Sequence, residues 1–188
     1  MYEVTGLSEA SVREQTATIE TIAKRHLSSS SRSICDPGQV ESFWRRRKEC
    51  LWSAMAAHPD RDVMITDVCV PLSKLPVLMV ETQAWIAESG LHVPIVAHAG
   101  DGNIHCFVFF DKHCPREVRV AHDLSKKMAL RAIELGGTCT GEHGIGVGKR
   151  DYLEREIGVG ALGLMHTIKH AVDPTGILNP GKILKVKK

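Results

Sequence analysis

The sequence contains no apolar run of about 18 residues, so it predicts no membrane-spanning helix. It opens with no segment that has the pattern of a signal or transit peptide. Its six cysteines include no C-x-x-C pair, which argues against a cysteine-ligated zinc site. Cys69 and Cys106 lie in apolar surroundings, where a reduced thiol packs as a small apolar side chain. The cysteine usage therefore favours a reducing compartment over secretion.

The longest run of consecutive basic residues is Arg45 to Lys48, next to Trp44. Because the net charge is only +2 and no basic stripe extends this run, the sequence gives little support to nucleic-acid binding. Arg47 falls on the apolar stripe of a helix predicted from Val40 to His58. Its stem could cover the core there, or its guanidinium could hold a substrate carboxylate through two hydrogen bonds. The sequence leaves both interpretations open.

The order of the predicted elements indicates the fold class. Hydrophobic residues make up 43% of the chain, which suits one globular domain with a packed core. Predicted helices alternate with β-patterned runs, but a hairpin lies in the middle of the chain, between residues 95 and 110. A doubly wound parallel sheet would not contain such a hairpin. We therefore expect an α+β fold in which helices cover an antiparallel sheet.

The hairpin segment, IVAHAGDGNIHCFVFF, carries one histidine in each of its two apolar runs. Asp-Gly between β-patterned runs is a strong signal for a two-residue turn. With Asp101-Gly102 as that turn, His98 is predicted to lie directly opposite His105. Opposed residues share a sheet face, with Cβ atoms about 4.5–5.5 Å apart. Two imidazoles so placed could bind one divalent cation, and a pair of structural histidines is the alternative.

The glycine-rich segment at residues 137–150, GTCTGEHGIGVGKR, does not match the common nucleotide-binding patterns. A phosphate-binding P-loop would need glycine in place of His143 and serine or threonine in place of Arg150. A dinucleotide fingerprint would need a βαβ unit with a downstream acid, and none follows Gly144-Ile145-Gly146. No H-E-x-x-H zinc-protease helix is present either.

What remains in this segment is an acid next to a histidine, with a glycine on each side. The glycines let the backbone approach a ligand closely. Glu142 could complete a three-ligand metal site with the two hairpin histidines, and such a site leaves a coordination position open for catalysis. His143 would then stand beside the metal, free to move a proton. The alternative is a mobile connector with exposed charges.

Several separate motifs resemble one protein family. HAGDGNIH, TCTGEHGIGVGKR and DPTGILNPGKIL resemble the C-terminal domain of FAD-linked oxidases of the vanillyl-alcohol oxidase type. With FWRRR and TDVCVPLSKLP added, the chain is most similar to the mitochondrial, cytochrome-linked D-lactate dehydrogenases of that family. The motifs occur in the family's order and cover nearly the whole chain.

The resemblance implies a domain organisation. Residues 1–188 would form a ferredoxin-like cap domain that binds substrate and metal next to an FAD-binding domain. The chain opens as if inside a strand, and no segment is similar to the pyrophosphate loop of the flavin domain. We therefore expect a cap domain truncated at its N-terminus, with FAD bound mainly by a domain outside this sequence.

The resemblance also implies roles for individual residues. Similar proteins bind zinc or manganese through positions that match His98, His105 and Glu142. A histidine that matches His143 is their base, and an arginine that matches Arg47 holds the substrate carboxylate. Asn179, in the N-P-G-K tail, matches a residue near the flavin ring.

Finally, the resemblance suggests a substrate and partners. Related 2-hydroxyglutarate dehydrogenases carry a lysine where this chain has Ile65, so a second substrate carboxylate would lose a partner here. We therefore expect the full enzyme to oxidise D-lactate to pyruvate, in mitochondria, with an electron acceptor such as cytochrome c. The alternative is a non-catalytic metal-binding or protein-interaction module derived from this domain. A metallohydrolase is the third candidate. It is considered because two histidines and a glutamate with an open coordination position also occur in such enzymes.

Overall fold

The computed structural model describes residues 2–185, and the chain divides into two compact units, Met1–Trp52 and Ser53–Lys188. The first unit contains helix α1 (Glu9–Arg25) and helix α2 (Pro37–Lys48). Both helices begin at side-chain caps: Ser8 accepts from the Ser11 N–H, and Asp36 accepts from the Gln39 N–H. Such caps pair N–H groups that the first turn of a helix leaves free.

Helix α3 (Cys50–Ala57) crosses the boundary between the two units. The sequence pattern predicts one continuous helix from Val40 to His58, and this prediction is wrong. Two helices form instead, because Glu49 leaves helical geometry and acts as the C-cap of α2. An apolar stripe of helical period does not reveal a one-residue break, since the residues on both sides keep the same spacing.

Within the described residues, the second unit combines four strands with three long α-helices and one short 3-10 helix, Leu72–Lys74. In chain order its strands and long helices are β1 (Asp62–Ile65), β2 (Val68–Cys69), α4 (Leu75–Ser89), β3 (Ile95–His98), β4 (Asn103–Phe110), α5 (Pro115–Glu134) and α6 (Arg150–Val172). Strand β4 pairs antiparallel with β1, β2 and β3. The predicted α+β fold with an antiparallel sheet is confirmed. No helix within residues 2–185 is both long and apolar enough to cross a bilayer.

One face of β4 packs into the hydrophobic core, and the opposite face carries His105. Side chains alternate between the faces of a strand, so Ile104, Cys106 and Val108 point together into the main core. There they meet buried residues of α4 and α5, among them Leu78 and Met128. Asn103, His105 and Phe107 point to the opposite face. The core therefore fixes β4 from one side and leaves its histidine on the other.

Helix α6 is longer than the sequence pattern predicts. We expect helix only from Leu162 to Val172, whereas the structure begins it at Arg150 and interrupts it at Gly158, where φ is +77°. Glycine adopts this left-handed conformation without the steric cost that a Cβ would impose. The helix thus begins at Arg150, the last residue of the glycine-rich segment, and anchors the C-terminal end of that segment.

Candidate metal centre

The two hairpin histidines share a sheet face, but their register differs from the prediction. His98 pairs with Asn103, and His105 pairs with Val96, because the connection contains four residues rather than two. A register shift of two residues preserves the face of every side chain, whereas a shift of one would reverse it. The ring centroids of His98 and His105 therefore lie 5.6 Å apart, with the rings nearly perpendicular.

Glu142 reaches both histidines from the glycine-rich segment. Its Oε1 lies 2.8 Å from Nε2 of His105 and 3.6 Å from Nε2 of His98. Ligand atoms of the three residues all lie within 4.8 Å of one another. Metal–nitrogen and metal–oxygen bonds of about 2.0–2.2 Å require this proximity. The structure thus brings together the three residues that the sequence predicts as ligands.

The hydrogen bonds of His105 prepare it to bind a cation. Its Nδ1 lies 3.1 Å from the carbonyl oxygen of Thr66, which can only accept, so Nδ1 donates. In the neutral ring this leaves the Nε2 lone pair facing the Glu142 carboxylate. A dication bound by both groups would make this 2.8 Å contact favourable, as would a proton on Nε2. The donor set of two imidazoles and one carboxylate fits zinc, manganese or a similar dication.

A second cluster in the same region, formed by Asp67, His105 and His143, is less suited to a metal. Asp67 is 1% exposed, and its carboxylate already accepts bonds from the Thr140 hydroxyl and from backbone N–H groups of residues 141–143. Burial raises the pKa of Asp67, but these bonds and the Lys149 charge outweigh it and hold that pKa well below its usual range. The oxygen atoms of this carboxylate are therefore already occupied by hydrogen bonds within the protein and are less available to a metal.

His143 lies beside the three candidate ligands His98, His105 and Glu142 without belonging to that cluster. Its ring stacks on that of His105, with centroids 5.0 Å apart and an angle of 21° between the planes. The side chain is exposed, and the Glu142–His98–His105 group forms without it. An imidazole in this position can accept a proton from a molecule bound at this cluster.

Asn103 is a site residue that the sequence reasoning missed. Its amide is 5% exposed, and its Nδ2 lies 3.4 Å from Nε2 of His105. Its Oδ1 has no hydrogen-bond partner among the described residues. The amide also packs against Gly141, where a Cβ would come within 2.5 Å of Oδ1. The only sequence feature that points to Asn103 is its place between the turn residue Gly102 and the second histidine, His105.

We expect Gly141→Ala to lower the free energy of unfolding by about 1–3 kcal/mol, because the new methyl group overlaps the buried Asn103 amide. Gly148→Ala is the matched control, since a Cβ there meets nothing within 4 Å and its φ is not in the left-handed region. That control should change stability by less than about 0.5 kcal/mol. Urea unfolding measures both, and equal stabilities of the two variants would contradict the expected close contact.

Two predicted site residues, Arg47 and Asn179, are not members of either cluster. Arg47 is half-buried in α2, within the first unit, and its Nη1 lies 3.8 Å from Sγ of Cys50. Asn179 is exposed and accepts a bond from Lys182, and the tail that carries it is held where Arg150 donates to the Gly181 carbonyl, at 2.7 Å. The roles of Arg47 and Asn179 toward substrate and flavin stay predictions.

Comparisons with known proteins identify the family of the chain. Residues 1–183 match the family described as "FAD linked oxidases, C-terminal domain". The chain is 43% identical to "D-lactate dehydrogenase (cytochrome), mitochondrial" of Arabidopsis thaliana, over 98% of this chain and 32% of that protein. It is 32% identical to "Glycolate oxidase subunit GlcD" of Escherichia coli K12, over 93% of this chain and 34% of that protein. The chain thus spans about a third of the length of these curated relatives.

A solved structure supports the fold. The chain superposes on "4-ethylphenol oxidase from Gulosibacter chungangensis: isoeugenol complex" with a TM-score of 0.56 and 17% sequence identity. The superposition covers 91% of this chain and 37% of that one. At this identity the likeness concerns the fold alone.

Proposed function

The chain belongs to the family of FAD-linked oxidase C-terminal domains, and from this premise we propose that it is the substrate- and metal-binding cap of an FAD-dependent D-2-hydroxy-acid dehydrogenase. The proposed reaction is oxidation of D-lactate to pyruvate. The observation that carries the proposal is the convergence of His98, His105 and Glu142 next to an unligated His143. The names of the plant, fish and yeast relatives, all mitochondrial D-lactate dehydrogenases, support this substrate and a mitochondrial location.

Three protein ligands would hold the proposed dication, zinc or manganese, and would leave coordination positions for a substrate. When bound, the dication would supply Lewis-acid chemistry that lowers the pKa of the substrate hydroxyl group. Glu142 would contribute negative charge, and the Nδ1 bond of His105 to Thr66 fixes the orientation of that ring. The protein thus determines where the hydroxyl of the substrate lies.

His143 is the proposed base. Its exposed ring stands next to the ligand cluster, and one of its ring nitrogens takes the hydroxyl proton of the substrate. FAD, held mainly by the rest of the enzyme, would supply the hydride acceptor for C2. In this proposal Arg47 holds the substrate carboxylate and thereby orients C2, and Asn179 lies near the flavin ring. Cytochrome c is the proposed electron acceptor.

Ile65 supports a substrate with one carboxylate. It ends β1 and pairs with Phe107, which lies two residues beyond His105 on the same face of β4. Its side chain is 38% exposed, so an apolar group borders this face where a second carboxylate of a longer substrate would need a cation. A lysine at this position would offer that cation.

We expect Ile65→Lys to change substrate preference in the enzyme that joins this chain to a flavin-binding domain. Activity with D-2-hydroxyglutarate relative to D-lactate should rise at least tenfold, because one new charged hydrogen bond contributes about 1.5–3 kcal/mol. The ratio of kcat/KM values measures this preference. Ile65→Met, which keeps the site apolar, serves as the control, and an unchanged ratio in the lysine variant would argue against this position as a specificity determinant.

A direct experiment tests the proposed function. The purified chain is analysed for bound metal, then assayed with D-lactate, FAD and a dye acceptor, alone and with a separately supplied flavin-binding domain. Bound dication and turnover only with the added domain are the expected results. Bound metal without turnover in either assay would favour the second candidate, a non-catalytic metal-binding module, which the same three-ligand cluster also supports.

A further inference from the structure

We propose that Asp67 is a positioning residue of the metal centre: its buried carboxylate fixes the backbone that presents Glu142 to the ion and His143 to the substrate. The inference rests on the proposed function for the identity of the bound ion and of the base. It adds a residue that neither ligates the ion nor touches the substrate.

Four hydrogen bonds converge on one oxygen of the Asp67 carboxylate. Oδ2 of Asp67 accepts from the Thr140 hydroxyl at 2.6 Å and from the N–H groups of Gly141, Glu142 and His143 at 2.9, 3.1 and 2.9 Å. Three consecutive N–H groups can meet one oxygen only in a tightly curved backbone, which forms an anion-binding concavity. The carboxylate therefore determines the curvature of residues 140–143.

Thr66, the residue before Asp67, orients the His105 side of the site. Thr66 accepts the Nδ1–H of His105 through its carbonyl oxygen, and its hydroxyl accepts the Cys106 N–H at 2.9 Å. The register of β1 and β2 along β4 places Asp67 opposite His105. One short segment thus holds both the strand ligand and the segment that carries Glu142, which lies 2.8 Å from His105.

Lys149 supplies the counter-charge that a buried carboxylate needs. Its Nζ donates to the Asp67 backbone carbonyl and lies 3.5 Å from Oδ2. A buried charge with a partner and several donors can stay ionised, whereas an unpaired one would be expelled or neutralised. Because the pair is internal, the ligand-bearing backbone is held before any ion arrives, which lowers the ordering cost of metal binding.

The test compares the wild-type chain with Asp67→Asn and Thr140→Val. Asparagine cannot replace an ionised acceptor of four bonds, and the valine variant removes one bond without changing a ligand. Asp101→Asn is the matched control, since it removes the same charge from an exposed position in the histidine turn. Amide hydrogen exchange of residues 141–143 is measured without metal, and Co²⁺ binding is measured by titration together with the visible absorption spectrum of the bound ion.

We expect Asp67→Asn to lose exchange protection at residues 141–143, to bind Co²⁺ about 10–100-fold more weakly and to shift its visible spectrum. Thr140→Val should show the same changes with a smaller loss of affinity, and it decides the matter if Asp67→Asn fails to fold. Wild-type exchange, affinity and spectrum in the folded variants would overturn the positioning role. If the wild-type chain binds no Co²⁺, the proposed metal centre fails, and the exchange data alone still decide whether Asp67 holds this backbone.

Discussion

Replacing His143 with alanine is expected to lower kcat with D-lactate about 10²–10⁴-fold, while the metal content stays at the wild-type level. This combination follows from the geometry: the ring stacks on His105 at 5.0 Å but does not belong to the cluster of Glu142, His98 and His105. Loss of the ring therefore removes a proton acceptor and no ligand. The measurement uses the enzyme that joins this chain to a flavin-binding domain, with turnover and metal stoichiometry determined on one preparation.

The control for this prediction is His113→Ala, which removes an exposed histidine from the segment between β4 and α5. It should leave kcat unchanged. Turnover at the wild-type rate in His143→Ala would refute the role as base. Loss of metal together with turnover would instead identify His143 as a ligand and would favour the cluster with Asp67 and His105.

Replacing His98 with alanine is expected to weaken metal binding more than about 100-fold, since removal of a ligand should exceed the 10–100-fold effect of changing a residue that only orients one. His98 is the suitable position because its side chain is 43% exposed, so truncation should cost little folding free energy. His105 is 7% exposed and donates to Thr66, so its replacement would mix metal loss with unfolding.

Metal titration of the isolated chain measures this effect, and thermal unfolding verifies that the variant is folded. Glu142→Gln provides a second test, because it keeps the size of the side chain and removes the charge that a dication requires. The metal should also stabilise the wild-type chain against unfolding, because it binds only the folded state. Unchanged affinity in both variants would remove the basis of the proposed function.

Some features of the site could be predicted from the sequence because they depend on local periodicity. Two histidines on either side of a turn were expected to share a sheet face, and they do. The expected pairing of His98 with His105 was wrong, since the turn contains residues 99–102. A hairpin sequence allows turns of two and of four residues, and both keep the same side chains on the same face. The face was therefore predictable, and the register was not.

Other features could not be predicted because they depend on contacts between distant residues. Asp67 accepts bonds from three N–H groups of residues 141–143, and nothing in the local pattern around either segment indicates this pairing. Asn103 was missed for the same reason, since its importance lies in its contact with Gly141. Helix α6 was predicted too short because residues near Gly158 interrupt the helical pattern, although the helix resumes after them.

The sequence by itself determined the fold class and the family, and it predicted three candidate metal ligands, because apolar periodicity and motif order are properties of neighbouring positions. Only the tertiary structure decided that Glu142 meets His105 and that the Asp67 carboxylate accepts hydrogen bonds from the N–H groups of residues 141–143. The physical reason is that packing and buried hydrogen bonds act between segments far apart in the chain, and their geometry exists only once the sheet and helices have assembled.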